Sequence, residues 1–212
     1  GIDTFFAAVD TILDQGEASS RARIREIPDG VYEAESFLDD DALGDEPVPI
    51  RVKVTVKGEE LTVDFTGLAE QVPGPLNSGY FGGGMTAARV AFKYLIAPRE
   101  PANEGVYRPL KLILPEGKIL SARPSAPMAG YPMPLPTVID TVIRCLENAL
   151  PHLVTGAHFG THSGFQVYGN WADGRRFHGH DSGHGGWVAG DGHDGSGPFR
   201  TMAHGDTRLI PM

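Results

Sequence analysis

Residues 177–197, FHGHDSGHGGWVAGDGHDGSG, gather four histidines and three aspartates into one short run. His178 and His180 stand two apart, so on a strand both fall on the same face, with Asp181 adjacent. Imidazole and carboxylate donors without paired thiolates suit Zn, Mn or Fe rather than a sulfur-rich metal site. His178, His180 and Asp181 are therefore the candidate metal ligands. The alternative is that these histidines bond to backbone carbonyls in a turn-rich fold, because short His-x-His patterns are weakly specific. His158 and His162 would share a face only on a helix, and Gly156, Gly160 and Gly164 argue against one there.

Other chemistry is thinner. Gly-rich loops at 79–86, 183–192 and 190–197 offer backbone amides to an anion, but only the first leads into a helix, and none has Walker spacing. Ser163 and Ser182 lie near histidines without a GxSxG context. The run Asp39-Asp40-Asp41 reads as a solvated turn, and Cys145, the single cysteine, as a small core residue in an apolar helical pattern.

These residues must be positioned by a folded scaffold. The 212 residues are 41% hydrophobic and 21% charged, a globular balance. With Gly 28 and Pro 17, short elements and many turns are expected rather than a helical bundle. A net charge of −9 repels phosphate backbones and anionic lipid surfaces, which argues against nucleic-acid and membrane partners. One cysteine allows no intrachain disulfide, which fits a reducing, cytoplasmic setting. The N-terminus lacks the basic start of a signal peptide, and without an initiator Met the chain is expected to be processed, recombinant or a piece of something longer.

The elements follow from periodicity. Phe5, Phe6, Val9, Ile12 and Leu13 mark an amphipathic helix over 3–25, weakened at Gly16 and ended by Pro28-Asp29-Gly30. VYEAESFLDDD reads as a strand. In PIRVKVTVKG, Ile50, Val52, Val54 and Val56 share one face, and beyond a Gly58 turn so do Leu61, Val63 and Phe65. That pattern predicts a β-hairpin over 49–66 with one buried face. Helices are expected at 85–97 and 136–150, with a strand near 109–114. Residues 122–136, with five prolines, are expected as extended connection. The fold class is α+β: an antiparallel or mixed sheet with two or three packed helices. Residues 1–150 form this core. Residues 151–212, which hold all eight histidines and half of the glycines, form a Gly/His-rich closing segment expected to pack on the same domain, with FQVYGNW and RRFHGH as strands.

Longer patterns carry more specificity. REIPDGVYEAESFLDDD, the following PIRVKVTVKGEELTVDFTGLAEQVPGPLN, and NEGVYRPLKLILPEG together resemble the hydantoinase B family. That family includes the B components of N-methylhydantoinase and 5-oxoprolinase and related subunits of acetone and acetophenone carboxylases. GGW with DGHDG is similar to its glycine-rich closing segment. The resemblance implies an ATP-dependent enzyme in which an A-type subunit, holding ATP with Mg, phosphorylates a cyclic amide or small carbonyl substrate. The B subunit then completes hydrolysis or carboxylation. It further implies that this chain is the C-terminal portion of a B subunit, with an N-terminal half as partner. In that setting His178, His180 and Asp181 are the candidate catalytic residues, as base or auxiliary ligands. Where the family reads N-A-R-x-x-T, this chain has MAGYPMPLPTV, which leaves a hydantoin or 5-oxoproline hydrolase, a ketone carboxylase and a non-catalytic scaffold all open.

Overall fold

A computed structural model describes residues 1–154, 156, 164–182, 189–190 and 192–195. Two compact units divide at residue 154, Gly1–Val154 and Thr155–Met212, each described by itself.

The first unit is α+β. Helix α1 runs Ile2–Ile24, strands β1, β2 and β3 span Gly30–Leu38, Val48–Lys57 and Glu60–Asp64, and helix α2 covers Thr86–Ile96. Strand β4, Leu110–Ile113, and helix α3, Pro134–Cys145, complete it. The sheet order is β1-β2-β3-β4. The first three strands are antiparallel and β4 lies parallel to β3, so the sheet is mixed, with α2 in the connection before β4. The 49–66 hairpin is present, closed at Gly58, whose φ of 62° suits glycine.

Alternation fixes which face is covered. Val48, Ile50, Val52, Val54 and Val56 of β2 are buried, as are Leu61 and Val63 of β3, while Arg51 and Lys57 are exposed. Helix α3 packs against β1 and β2, and α2 packs against α3. Ala88, Ala91, Phe92, Leu95 and Ile96 of α2 and Val138, Ile139, Val142 and Ile143 of α3 complete the core. Cys145 is buried within it, as its sequence setting indicates.

Helix boundaries differ from the periodicity in two places. Helix α3 starts at Pro134, inside the proline-rich stretch, because first-turn amides have no intrahelical acceptor and proline costs nothing there. It gives way to turns after Cys145, before Pro151. Ahead of α2, Phe81–Met85 form a turn of π-helix where the sequence suggests a loop.

Gly16 does not weaken α1 idly. A Cβ there would come 2.8 Å from Asn103 Oδ1 and 3.1 Å from the Val106 amide. A Cβ on Gly105 would meet the Leu13 carbonyl oxygen at 1.9 Å. Helix and loop therefore meet backbone to backbone, which only glycine permits on both sides. Arg108 adds ion pairs to Asp14 at 2.7 Å and Glu17 at 2.9 Å. The NEGVYR segment is thus the seat of the C-terminal half of α1.

In the second unit, β5 (Gly164–Asn170) and β6 (Arg176–Ser182) form an antiparallel hairpin, in agreement with the strands read from FQVYGNW and RRFHGH.

Candidate functional site

The candidate residues lie on β6. Its register pairs His178 with Tyr168, His180 with Gln166 and Asp181 with Phe165. Positions 178 and 180 therefore fall on one face of the hairpin and position 181 on the other. His178 is exposed, and its Nε2 lies 3.3 Å from Gln166 Oε1. The side chains of His180 and Asp181 lie outside the described residues, as do His158, His162, Ser163 and the GGW at 185–187. Among the described residues no group of three or more His, Cys, Asp or Glu side chains converges on a metal-sized site. Tyr168 and Trp171 on this hairpin are exposed, with the Trp171 ring tilted against Phe177 at 5.1 Å.

A second polar feature is legible in the sequence only as the outward-facing positions of the hairpin 49–66. On the uncovered face of the four-stranded sheet, an open cleft of about 500 Å³ is lined by Glu33, Glu35, Arg51, Lys53, Asp64 and Thr66, among others. Register explains the pairing: Glu33 lies opposite Lys53, Glu35 opposite Arg51, and Lys53 opposite Asp64. Arg51 meets Glu35 at 2.7 Å and Lys53 meets Asp64 at 2.9 Å. Burial alone would raise the Asp64 carboxyl, but bonds from Thr66 and Lys53 outweigh it and hold it below the usual range. The bond to Asp64 likewise raises the Lys53 ammonium. Both groups are held in their charged forms, whereas a general acid or base needs a pKa near the working pH. Lys53 and Asp64 therefore stand as a charged pair and not as a pair poised for proton transfer.

The third feature joins two of the sequence patterns, LDDD and VPGPLN, whose meeting in space the patterns themselves do not signal. Asp41, expected within a solvated acidic turn, spends its carboxylate on the backbone. Oδ1 accepts from the amides of Leu43 and Gly44 at 3.0 and 2.9 Å, and Oδ2 from Gly74 at 3.0 Å. Those bonds, led by Gly44, hold the Asp41 carboxyl below its ordinary range. Asn77 is fully buried: its Oδ1 accepts from Val72, and its Nδ2 donates to the carbonyls of Val72, Gly74 and Pro127. One aspartate and one asparagine thus tie LDDD, VPGPLN and the proline-rich connection into a single knot. Asp followed closely by a Gly-containing turn was the available signal.

The residues that carry the sequence patterns are therefore brought together as scaffold. A family model described as Hydantoinase B/oxoprolinase matches residues 1–212. A Pseudomonas sp. (strain NS671) protein, provisionally named as the B subunit of a D-/L-hydantoinase, is 33% identical over 165 residues, covering 73% of this chain and 28% of that protein. The beta subunit of the Pseudomonas jessenii caprolactamase is 31% identical over 172 residues, 80% of this chain and 29% of that protein. Among solved structures, the ATP-dependent caprolactamase from Pseudomonas jessenii superposes with a TM-score of 0.74 at 26% identity, covering 84% of this chain and 31% of that one. A nucleotide-free acetone carboxylase gives 0.73 over 86% of this chain and 27% of that one, and at 17% identity that likeness is one of fold. The chain spans less than a third of the length of each of these proteins.

Proposed function

The chain belongs to the hydantoinase B/oxoprolinase family, and from that membership we propose that it is part of the B subunit of an ATP-dependent cyclic amidohydrolase working with an ATP-using A-type subunit. The observation that carries this reading is the match over residues 1–212, joined to relatives named for hydantoin and caprolactam substrates.

The chemistry explains why such an enzyme divides its labour. Amide resonance makes ring opening at neutral pH slow. Transfer of the ATP γ-phosphoryl group to the amide oxygen, with ATP and Mg at the A-type subunit, yields ADP and an activated carbon bearing a phosphate leaving group. Water then adds to that carbon, giving up a proton. The ring C–N bond breaks with the nitrogen leaving as the protonated amine, so that the carbon is left as an acyl phosphate. A second water hydrolyses the acyl phosphate to the carboxylate and inorganic phosphate. The first attack requires a base to take the water proton. His178, His180 and Asp181 are the proposed contributors from this chain, as base or as auxiliary ligands to a divalent Zn, Mn or Fe ion; Asp181, on the opposite face of β6, would act apart from the two histidines. His178 and His180 share one face of β6, which supports their acting as a pair.

The test is ATP turnover by the complex reconstituted with an A-type subunit and the remaining B-subunit polypeptide. Hydantoins, 5-oxoproline, caprolactam, acetone and acetophenone are supplied in turn. Stimulation by a cyclic amide is expected. Stimulation by a ketone alone, with bicarbonate consumed, would assign the complex to the carboxylase branch instead. The isolated chain is expected to be inactive. His178→Ala with His180→Ala is expected to lower the stimulated rate at least about tenfold, the low end for loss of a general base. An unchanged rate would remove these residues from the chemistry while leaving the subunit assignment standing. If nothing stimulates ATP turnover in an assembled complex, the enzyme reading loses its substrate assignment.

A further inference from the structure

Helix α1 carries one continuous apolar stripe. At 100° per residue, Ile2, Phe5, Phe6, Val9, Ile12 and Leu13 fall within an arc of roughly 120°. Gly16, Ser20 and Ile24, the buried residues of the helix, lie on the same arc. These three are covered, Gly16 by the NEGVYR segment, and the helix also contacts α2 and β3. Ile2 is 64% exposed, Phe5 60%, Phe6 57% and Ile12 55%. The N-terminal half therefore extends a formed apolar face into solvent over about 17 Å, at 1.5 Å per residue. Contiguous exposed patches built around two phenylalanines mark interaction surfaces.

We infer that this stripe is an interface for the section of the B-subunit polypeptide that the present chain does not span. The inference rests on the B-subunit reading above. Two observations select that occupant. The chain covers only 28–31% of its hydantoinase and caprolactamase relatives, so in a protein of that size a much larger section of polypeptide is at hand in fixed proportion. A permanent partner of that kind can keep a phenylalanine stripe covered, as transient partners do not. Second, Asp14 and Glu17 are engaged by Arg108, so Asp3 and Asp10 are the charges that border the exposed half of the stripe, and residues 1–20 contain no Lys or Arg. Two copies pairing stripe to stripe would have no cation from this segment to set against Asp3 and Asp10, which disfavours a second copy. The complementary surface is therefore an apolar groove rimmed by Lys or Arg, receiving an amphipathic helix through anchors at i, i+3, i+4 and i+7.

The experiment titrates the purified 212-residue chain with the separately expressed complementary section of its own B subunit, following binding by calorimetry and oligomeric state by sedimentation. The parent chain is expected to be monomeric alone and to form a one-to-one complex. Phe5→Asp with Phe6→Asp is expected to weaken that complex at least about a hundredfold, since buried aromatic anchors carry most of an interface's energy. Thr4→Asp with Thr11→Asp, on the opposite side of α1, is expected to leave affinity within about threefold, as near-neutral positions outside an interface do. Far-UV circular dichroism and the melting midpoint of the isolated F5D/F6D chain should match the parent. A complex indifferent to F5D/F6D, or a dimer of the free chain that F5D/F6D dissolves, overturns the inference. So does capture of the A-type subunit through Phe5 and Phe6 without the complementary section, a melting midpoint of the isolated chain lowered by F5D/F6D, or a source genome encoding no such section. Binding is read without catalysis, so failure of the amidohydrolase assignment would leave this result intact.

Discussion

Gly74 and Asp41, 33 positions apart, touch twice: the Gly74 amide donates to Asp41 Oδ2 at 3.0 Å, and a Cβ on Gly74 would stand 1.7 Å from the Asp41 carbonyl oxygen. Two backbone segments cross here at a distance that admits no side chain. Gly74→Ala is expected to destabilise the chain by about 2–4 kcal/mol, because both segments must part. Urea denaturation followed by circular dichroism measures it. A midpoint equal to the parent's would show that the 67–79 loop shifts at no cost.

Asn77 supports the same crossing from inside. Replacing it with Ala leaves the Val72 amide and the carbonyls of Val72, Gly74 and Pro127 without their partner. The expected loss is about 2–4 kcal/mol, the cost of several backbone groups stranded away from water. Asn77→Asp keeps the shape and removes the two amide protons, placing a carboxylate against carbonyl oxygens. Its destabilisation at pH 7 should exceed that of Asn77→Ala and should shrink on acidification, as protonation restores a neutral donor. Denaturation midpoints at pH 5 and 7 decide; an Asn77→Asp chain as stable as the parent at pH 7 would contradict this account of the knot.

Acid sensitivity has a defined direction. The Asp41 and Asp64 carboxyls lie below their ordinary value of 3.8, the first because amides of Gly44, Leu43 and Gly74 stabilise its anion. For Asp64, burial acts upward, and Thr66 and Lys53 more than offset it. An unfolded chain, with aspartates near about 3.9, takes up protons before the folded one does as pH falls. The stabilisation is complete above the unfolded value and is lost as pH drops through the depressed folded values. Denaturation midpoints should be flat from about pH 5 to 7 and fall below about pH 4. Asp41→Asn combined with Asp64→Asn should reduce that slope; an identical slope would show that other carboxyls carry it.

The strands were legible because one side of this sheet is covered and the other is not, so burial follows every second residue from Val48 to Val56. The knot of Asp41, Gly74 and Asn77 left no such period, since its bonds join loops 33 and 50 positions apart. Helix α1 shows the converse limit. Its stripe was plain from Phe5 to Leu13, yet an apolar period reports only that a face wants a partner, and with Phe5 and Phe6 exposed no described residue of this chain supplies one. For His178 and His180 the spacing correctly indicated positions on one face of a strand. Whether the two residues bind a ligand was never encoded in that spacing, because ligand geometry depends on groups brought in from elsewhere.

Cys145 was expected to be a core residue from its apolar helical setting, and its surroundings make that expectation measurable. Burial pushes its thiol up to about 12, and Sγ donates to the Val52 carbonyl at 3.5 Å. At pH 8 the thiol is held in its unreactive protonated form, and reagents must also reach the sheet–helix interior. A disulfide reagent at pH 8 is therefore expected to leave the native chain unlabelled for hours and to label one thiol at once in denaturant. Between those limits, the labelling rate should track the opening of α3 from the sheet and rise in parallel with the destabilisation caused by Gly74→Ala. Prompt labelling of the native chain would place Cys145 at an accessible surface and make it a candidate nucleophile after all.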